Sequence, residues 1–208
     1  MNPFSLVDYK IYRLGEGLPA PDPAKAYEYI LAGNGVYKRA TNAHLTALIR
    51  IADADVAGLG ILPRYDLALT HGRIHGDILN AVARDARYAA GNGKEQMYHF
   101  RYSRKSLAMY LARPDQEATA ARIEYQVGGT GDDIVCDLHS HGYMHAFWSD
   151  TDNADETAFR LYAVIGNFRR GIPEIRMRVG MYGDFCPVPA TEFFTHTGPF
   201  RDLSGEAR

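Results

Sequence analysis

Cysteine is nearly missing from this chain of 208 residues: Cys136 and Cys186 stand fifty positions apart, in no C-x-x-C arrangement. That excludes a disulfide framework and makes a reducing cytoplasm the expected setting. An excess of either charge is also lacking. The 23 Lys and Arg nearly cancel the 25 Asp and Glu, for a formal net charge of −2, and no basic block or stripe occurs. Nucleic-acid binding therefore has no electrostatic footprint. No apolar run approaches the roughly 18 residues a membrane-spanning helix requires. The opening MNPFSLVDYKIYRLGEG has neither the basic start nor the apolar run of a secretory leader. What is present is 46% hydrophobic residues, enough for an ordinary core. The length suits one domain, or one domain with an extension.

The first 70 residues read as β-rich. YEYILAGNGVYKRAT sets Asn34-Gly35 between runs of Tyr, Ile and Val, a hairpin signal, and HLTALIRIADADVAGL supplies a further strand. LPAPDPAK, residues 18–25, carries three prolines and is a connector. From Gly76 the period changes. Ile78, Leu79, Val82, Ala86 and Ala89 or Ala90 recur at helical intervals, and Gly91-Asn92-Gly93 stops the helix. KEQMYHFRYS, SLAMYLARP and ARIEYQV follow as strands. DDIVCDLHSH is a buried strand ending on histidines, and RLYAVIGNF with EIRMRVGMYG forms a hairpin around Arg169–Pro173. This order predicts an α/β (α+β) domain with a mixed sheet. Three segments are expected: a β-rich N-terminal extension over 1–70, a core over 71–190, and a C-terminal tail over 191–208 whose final SGEAR is disordered.

The stretch DLHSHGYMHAFWSDTD, residues 137–152, concentrates the chemistry. His139 and His141 are positions i and i+2 at a strand end, so both imidazoles reach the same side. After seven intervening residues comes Ser149, and three positions later Asp152. Two imidazole nitrogens and one carboxylate make a three-ligand zinc site with a fourth position open to water, the mark of a catalytic rather than a structural site. Ser149 and Asp152 also have the form of a helix capping box. The two readings are compatible, because a helix start holds both side chains rigidly. His-x-His alone, among eight histidines, carries little weight; the combination carries much. His71 and His75 of HGRIH have i,i+4 spacing but are broken by glycine and read as a turn.

The pattern H-x-H, seven residues, S-x-x-D resembles the signature of the JAMM (MPN+, JAB) zinc metalloproteases, here His139, His141, Ser149 and Asp152. YEYILAGNGVYKRA with LHSHGYMHAFWSDTDNADETAFRLYAVIGNF is similar to a bacterial branch of that family found in the PRTRC plasmid-associated gene systems. The resemblance implies a mixed β-sheet flanked by helices, cytidine-deaminase-like, and one catalytic Zn2+ held by His139, His141 and Asp152. It also implies an upstream glutamate, just after the first helix as the chain enters a strand. Glu95, 44 residues before His139, meets that description. Of its rivals, Glu117 falls in an expected loop and Glu124 on a later strand. In that scheme Glu95 takes a proton from water and passes it to the leaving amine, while the Ser149 hydroxyl stabilises the oxyanion. The implied substrate is a peptide or isopeptide bond at the C-terminal tail of a ubiquitin-like protein, with E1- or E2-like proteins of the same gene system as further partners. Trimming of a sulfur-carrier tail, and a non-catalytic MPN-type scaffold with a retained metal, are the alternatives. A zinc deaminase would require His-x-Glu and Pro-Cys-x-x-Cys; FCPVP has a single cysteine.

Gly142 stands where proline commonly follows the second metal histidine in that family, and is expected to loosen the loop. Gly142, Met144, His145, Phe147 and Trp148 are candidates for a substrate loop, with Met144, Phe147 and Trp148 as its apolar rim. His145 is read as a loop or surface residue rather than a further ligand. Asp155 and Glu156 lie three and four residues past Asp152 and are candidates for supporting it from behind, although an acidic first turn also suits the helix dipole. Cys136 is read as core, since no activating partner is evident.

Overall fold

The computed structural model describes residues 6–114, 116–118, 123–125, 133–169 and 171–205. Contacts divide the chain into two compact units, residues 1–70 with 184–186, and residues 71–183 with 187–208. No helix among the described residues is long and apolar enough to cross a membrane.

The first unit is a five-stranded sheet in sequence order: β1 (Val7–Ile11), β2 (Tyr27–Ala32), β3 (Gly35–Thr41), β4 (Leu45–Ala52) and β5 (Tyr65–Leu69). All neighbours are antiparallel except β1 and β2, which run parallel. A parallel pair needs a crossover, and the proline-rich connector lies within it. Ile30, Ala32, Tyr37, Leu48 and Leu62 form the core. The β2–β3 turn is Gly33-Asn34, one residue earlier than expected, because Ala32 pairs with Gly35. Two tertiary contacts set that register. A Cβ on Gly33 would lie 2.7 Å from the Leu59 carbonyl oxygen. The Asn34 side chain donates to the Leu62 carbonyl at 2.8 Å and accepts from the Leu62 amide at 3.1 Å.

The second unit contains α1 (Ile78–Gly91), β6 (Met97–Ser103), β7 (Ala108–Ala112), β8 (Gln116–Ala118), β9 (Ile123–Tyr125), β10 (Ile134–Ser140), α2 (Asp150–Asp155), β11 (Arg160–Gly166), β12 (Glu174–Met181) and β14 (Arg201–Asp202); β13 (Asp184–Pro187) spans the boundary between the units. Within this unit the sheet runs β12-β11-β10-β6-β7, with β14 against β12. It is mixed: β10 and β11 are parallel, the other consecutive neighbours antiparallel. β8 and β9 pair separately, with Glu117 opposite Glu124, so Glu117 lies on a strand and not in the expected loop. All seven residues of the central β10 are buried.

Register assigns the two faces of this sheet different chemistry. Residues paired across strands point to the same side. One face therefore gathers Tyr98 and Phe100, Cys136 and Leu138, Leu161 and Ala163, then Val179 and Met177. Its covering is α1, whose Asp85 accepts from the Tyr98 hydroxyl at 2.8 Å, and the C-terminal segment, whose Phe193 and Phe194 pack edge-on against Phe100. Residues 191–205 are thus not a loose tail. Phe193, Phe194, Phe200, Leu203 and Ser204 are buried, since the apolar face needs aromatic cover that α1, rich in alanine, does not fill. The opposite face is polar. Across it run the row His99, Asp137, Tyr162, Arg178 and the next row Met97, His139, Val164, Arg176.

Candidate metal centre

The polar face ends at the C-terminal end of β10, where the chain delivers His139 and then His141. Both are nearly inaccessible, at 7% and 6% exposure. The His141 amide donates to the Ile165 carbonyl at 2.8 Å, which extends the β10–β11 ladder by one rung and holds that ring in line with His139. The loop returns through Phe147 and Trp148 to α2. There Ser149 caps the helix as expected: its hydroxyl accepts from the Asp152 amide at 3.1 Å, and its own amide donates to Asp152 Oδ2 at 2.7 Å. This capping box aims the Asp152 carboxylate at the two imidazoles.

Three side chains converge. His139 Nε2 lies 3.1 Å from His141 Nε2 and 3.2 Å from Asp152 Oδ1, and His141 Nε2 lies 3.6 Å from Asp152 Oδ2. Ligands about 2.0–2.1 Å from a tetrahedral zinc ion stand about 3.3 Å from one another. The donor set and its spacing fit that ion. Burial works against the charge on Asp152, but the two imidazoles and the Ser149 amide outweigh it and hold the carboxyl well below the usual range. The same contacts favour its ionised form.

Glu95 reaches this cluster through a backbone clasp. It precedes β6, and its neighbour Gln96 donates its amide to the Ser140 hydroxyl at 3.0 Å while the Ser140 amide donates to the Gln96 carbonyl at 2.9 Å. Burial raises the Glu95 carboxyl to about 7, with attraction from His141 opposing and the charge of Asp152 adding to the rise. The Glu95 carboxyl therefore lies within electrostatic reach of His141 and Asp152.

The other expected residues fall into distinct places. Phe147 meets His141 edge-on at 4.5 Å between ring centroids, and Trp148 meets His139 at 6.2 Å, so both wall the ligands. Met144 and the neighbouring Tyr143 are each 49% exposed. The exposed His145 ring points to Glu174, 3.0 Å away, rather than to the ligands. Gly142 sits in a hydrogen-bonded turn, with the Met144 amide donating to the His141 carbonyl at 3.0 Å. It has φ +56, a left-handed conformation that proline, fixed near −65°, does not adopt. Its carbonyl accepts from the Phe168 amide at 3.2 Å, and Met144 O from the Asn167 amide at 2.6 Å. Asp155 is exposed, whereas Glu156 is buried and paired with Arg178. Burial raises the Glu156 carboxyl to about 8 against the pull of that guanidinium. Cys136 is wholly buried with its thiol pushed up by burial, as a core residue should be.

Several contributors escaped the sequence reading. Behind His139, Asp137 bridges His99 Nδ1 at 2.5 Å and Arg160 at 3.0 Å. On β12, Glu174, Arg176 and Arg178 all face the returning loop: Glu174 accepts from the Ala146 amide at 3.2 Å, and Arg176 donates to the Ala146 carbonyl at 2.9 Å. Their signal was the alternation E-I-R-M-R-V, in which every second residue of a strand is charged.

The exposed trio His75, Asp77 and His196 also brings donor atoms together. The Gly198 amide donates to His196 Nδ1 at 3.2 Å, and His196 Nε2 lies 3.5 Å from Asp77 Oδ1.

No curated protein matches the chain. Residues 72–179, just over half of it, match the family model described as prokaryotic homologs of the JAB domain, and the match spans Glu95, both histidines, Ser149 and Asp152. With that match, and a mixed sheet that brings these residues together, the chain belongs to the prokaryotic JAB family.

Proposed function

We propose that this protein is a zinc-dependent peptidase or isopeptidase acting on the amide bond at the C-terminal tail of a ubiquitin-like protein. The observation that supports it most is the convergence of His139, His141 and Asp152, with the Glu95 carboxyl within electrostatic reach of His141 and Asp152. His139, His141 and Asp152 would hold the zinc ion, which would supply Lewis acidity toward water and the scissile carbonyl. Glu95 takes a proton near neutral pH and hands it to the departing amine. The Ser149 hydroxyl accepts the helix amide with a lone pair, which leaves its proton to donate to the developing oxyanion. Phe147 and Trp148 exclude water from the imidazoles, and exposed Tyr143 and Met144 offer apolar contact to an extended tail.

A role within a PRTRC gene system, with E1- or E2-like proteins nearby and a cytoplasmic setting, is part of this proposal. So is the choice of a ubiquitin-like tail over a sulfur-carrier tail. A non-catalytic scaffold has no use for a half-buried carboxylate within electrostatic reach of His141 and Asp152, which favours the enzyme. The test is cleavage of a ubiquitin-like protein and of a sulfur-carrier protein, each fused through its C-terminal tail to a reporter. Zinc-loaded protein should release the reporter from the first, and chelation should abolish release. Release from the sulfur-carrier fusion alone would reassign the substrate, and release from neither would leave the scaffold.

A further inference from the structure

We infer that Arg178 is a positioning residue for the metal centre: it grips both flanks of α2 and so sets where Asp152 stands relative to His139 and His141. The inference rests on the zinc reading above and concerns what makes that site precise.

α2 needs such a grip. It has six residues, far below the length at which a helix is stable alone, and none of the six is buried. The capping box shapes its first turn but cannot fix that turn against the sheet, because both partners of the box belong to α2 and its cap. An apolar face, the usual anchor of a helix, is absent from these residues.

Arg178 supplies the anchor from the polar face of β12. Its Nε and Nη2 donate to Glu156 Oε2 at 2.8 and 2.5 Å, and its Nη1 donates to Asn153 Oδ1 at 2.7 Å. The guanidinium carbon lies 3.8 Å from the centroid of the Trp148 ring. Trp148 precedes the cap Ser149, whereas Asn153 and Glu156 follow Asp152. The ligand is therefore bracketed on both sides by groups tied to one side chain. Arg178 is itself held: it is 3% exposed and lies opposite Tyr162 in the centre of a β-ladder. Only a planar fork that donates in several directions and stacks by its face makes these contacts at once; a lysine ammonium keeps the charge but not the span. The rival view is that Arg178 merely neutralises buried Glu156, and the two views part on the metal.

The experiment measures Zn2+ affinity by chelator competition, and the visible spectrum of the Co2+-substituted protein, for wild type, Arg178→Lys and the double variant Arg178→Met/Glu156→Gln. The lysine keeps a partner charge for Glu156. The double variant removes the pair without stranding either charge. Asn153→Ala, at an exposed position that folding tolerates, loses one grip only. In folded variants with the wild-type circular dichroism, Arg178→Lys and the double variant should bind Zn2+ about 10- to 100-fold more weakly, the range expected when support behind a ligand is lost. Their Co2+ bands should shift, and Asn153→Ala should show a smaller loss of the same sign. Affinity within about twofold of wild type in all three, with an unchanged Co2+ spectrum, would overturn the inference. A wild type that binds no Zn2+ would instead sink the metal reading, and that shows in the wild-type arm alone.

Discussion

Gln96 and Ser140 exchange two hydrogen bonds, amide to hydroxyl at 3.0 Å and amide to carbonyl at 2.9 Å. That pairing joins the start of β6 to the end of β10. It is how Glu95 comes to sense His141 and Asp152 from 44 positions upstream.

Glu95→Gln should leave Zn2+ binding intact and lower kcat by about 10²–10⁴, the usual worth of a positioned general base. Glu124→Gln, on the separate β8–β9 pair, should leave kcat unchanged. Steady-state kinetics on both variants checks the assignment, and the reverse pattern would refute it.

The same residue sets a pH dependence. On the proposed mechanism cleavage needs the Glu95 carboxylate, so kcat/KM should fall toward acid pH, in a limb referred to the metal-free value of about 7. A bound dication favours the charged form and moves this limb to lower pH. In the metal-free protein the linkage has the opposite sense. The folded value, about 7, exceeds the ordinary 4.5, so the stabilising contribution is full below 4.5 and is lost as pH rises through 7. Thermal melts of metal-free wild type should therefore lose ground to Glu95→Gln between pH 5 and pH 8.

Ser149→Ala removes two things at once. Loss of the cap should lower stability by about 0.5–2 kcal/mol. Loss of the oxyanion donor should lower kcat by about 10²–10³. Ser149→Asp retains a cap but not the neutral donor, so it should recover melting temperature without recovering turnover.

At Gly142, φ +56 makes alanine cost about 1–2 kcal/mol, and proline more, since its ring cannot reach that conformation. Gly142→Pro should lower the melting temperature more than Gly142→Ala. Equal stability of the two variants would contradict the left-handed turn.

What could be read from the chain divides along physical lines. His139, His141, Ser149 and Asp152 were legible because strand period and capping geometry are local rules, and the helix before Glu95 was legible from its 3.6-residue spacing. Glu95 itself needed the family resemblance, since the Gln96–Ser140 clasp that places it is a long-range contact. The alternation of Glu174, Arg176 and Arg178 was visible as well. Such a pattern ordinarily marks a solvated strand face, yet Glu174 and Arg178 are buried beneath the loop. Phe193 and Phe194 sit among turn-forming residues, so nothing local marked them as core. Gly142 was read as loosening the loop because its left-handed backbone conformation, φ +56, is not legible from the sequence.

The most direct test is metal stoichiometry by elemental analysis of the purified protein, His139→Ala and Asp152→Ala after zinc supplementation and desalting. The account predicts about one zinc per chain in wild type and loss of it in both variants. Wild type without zinc, or either variant retaining a full equivalent, would contradict the assignment of His139, His141 and Asp152 as the metal centre.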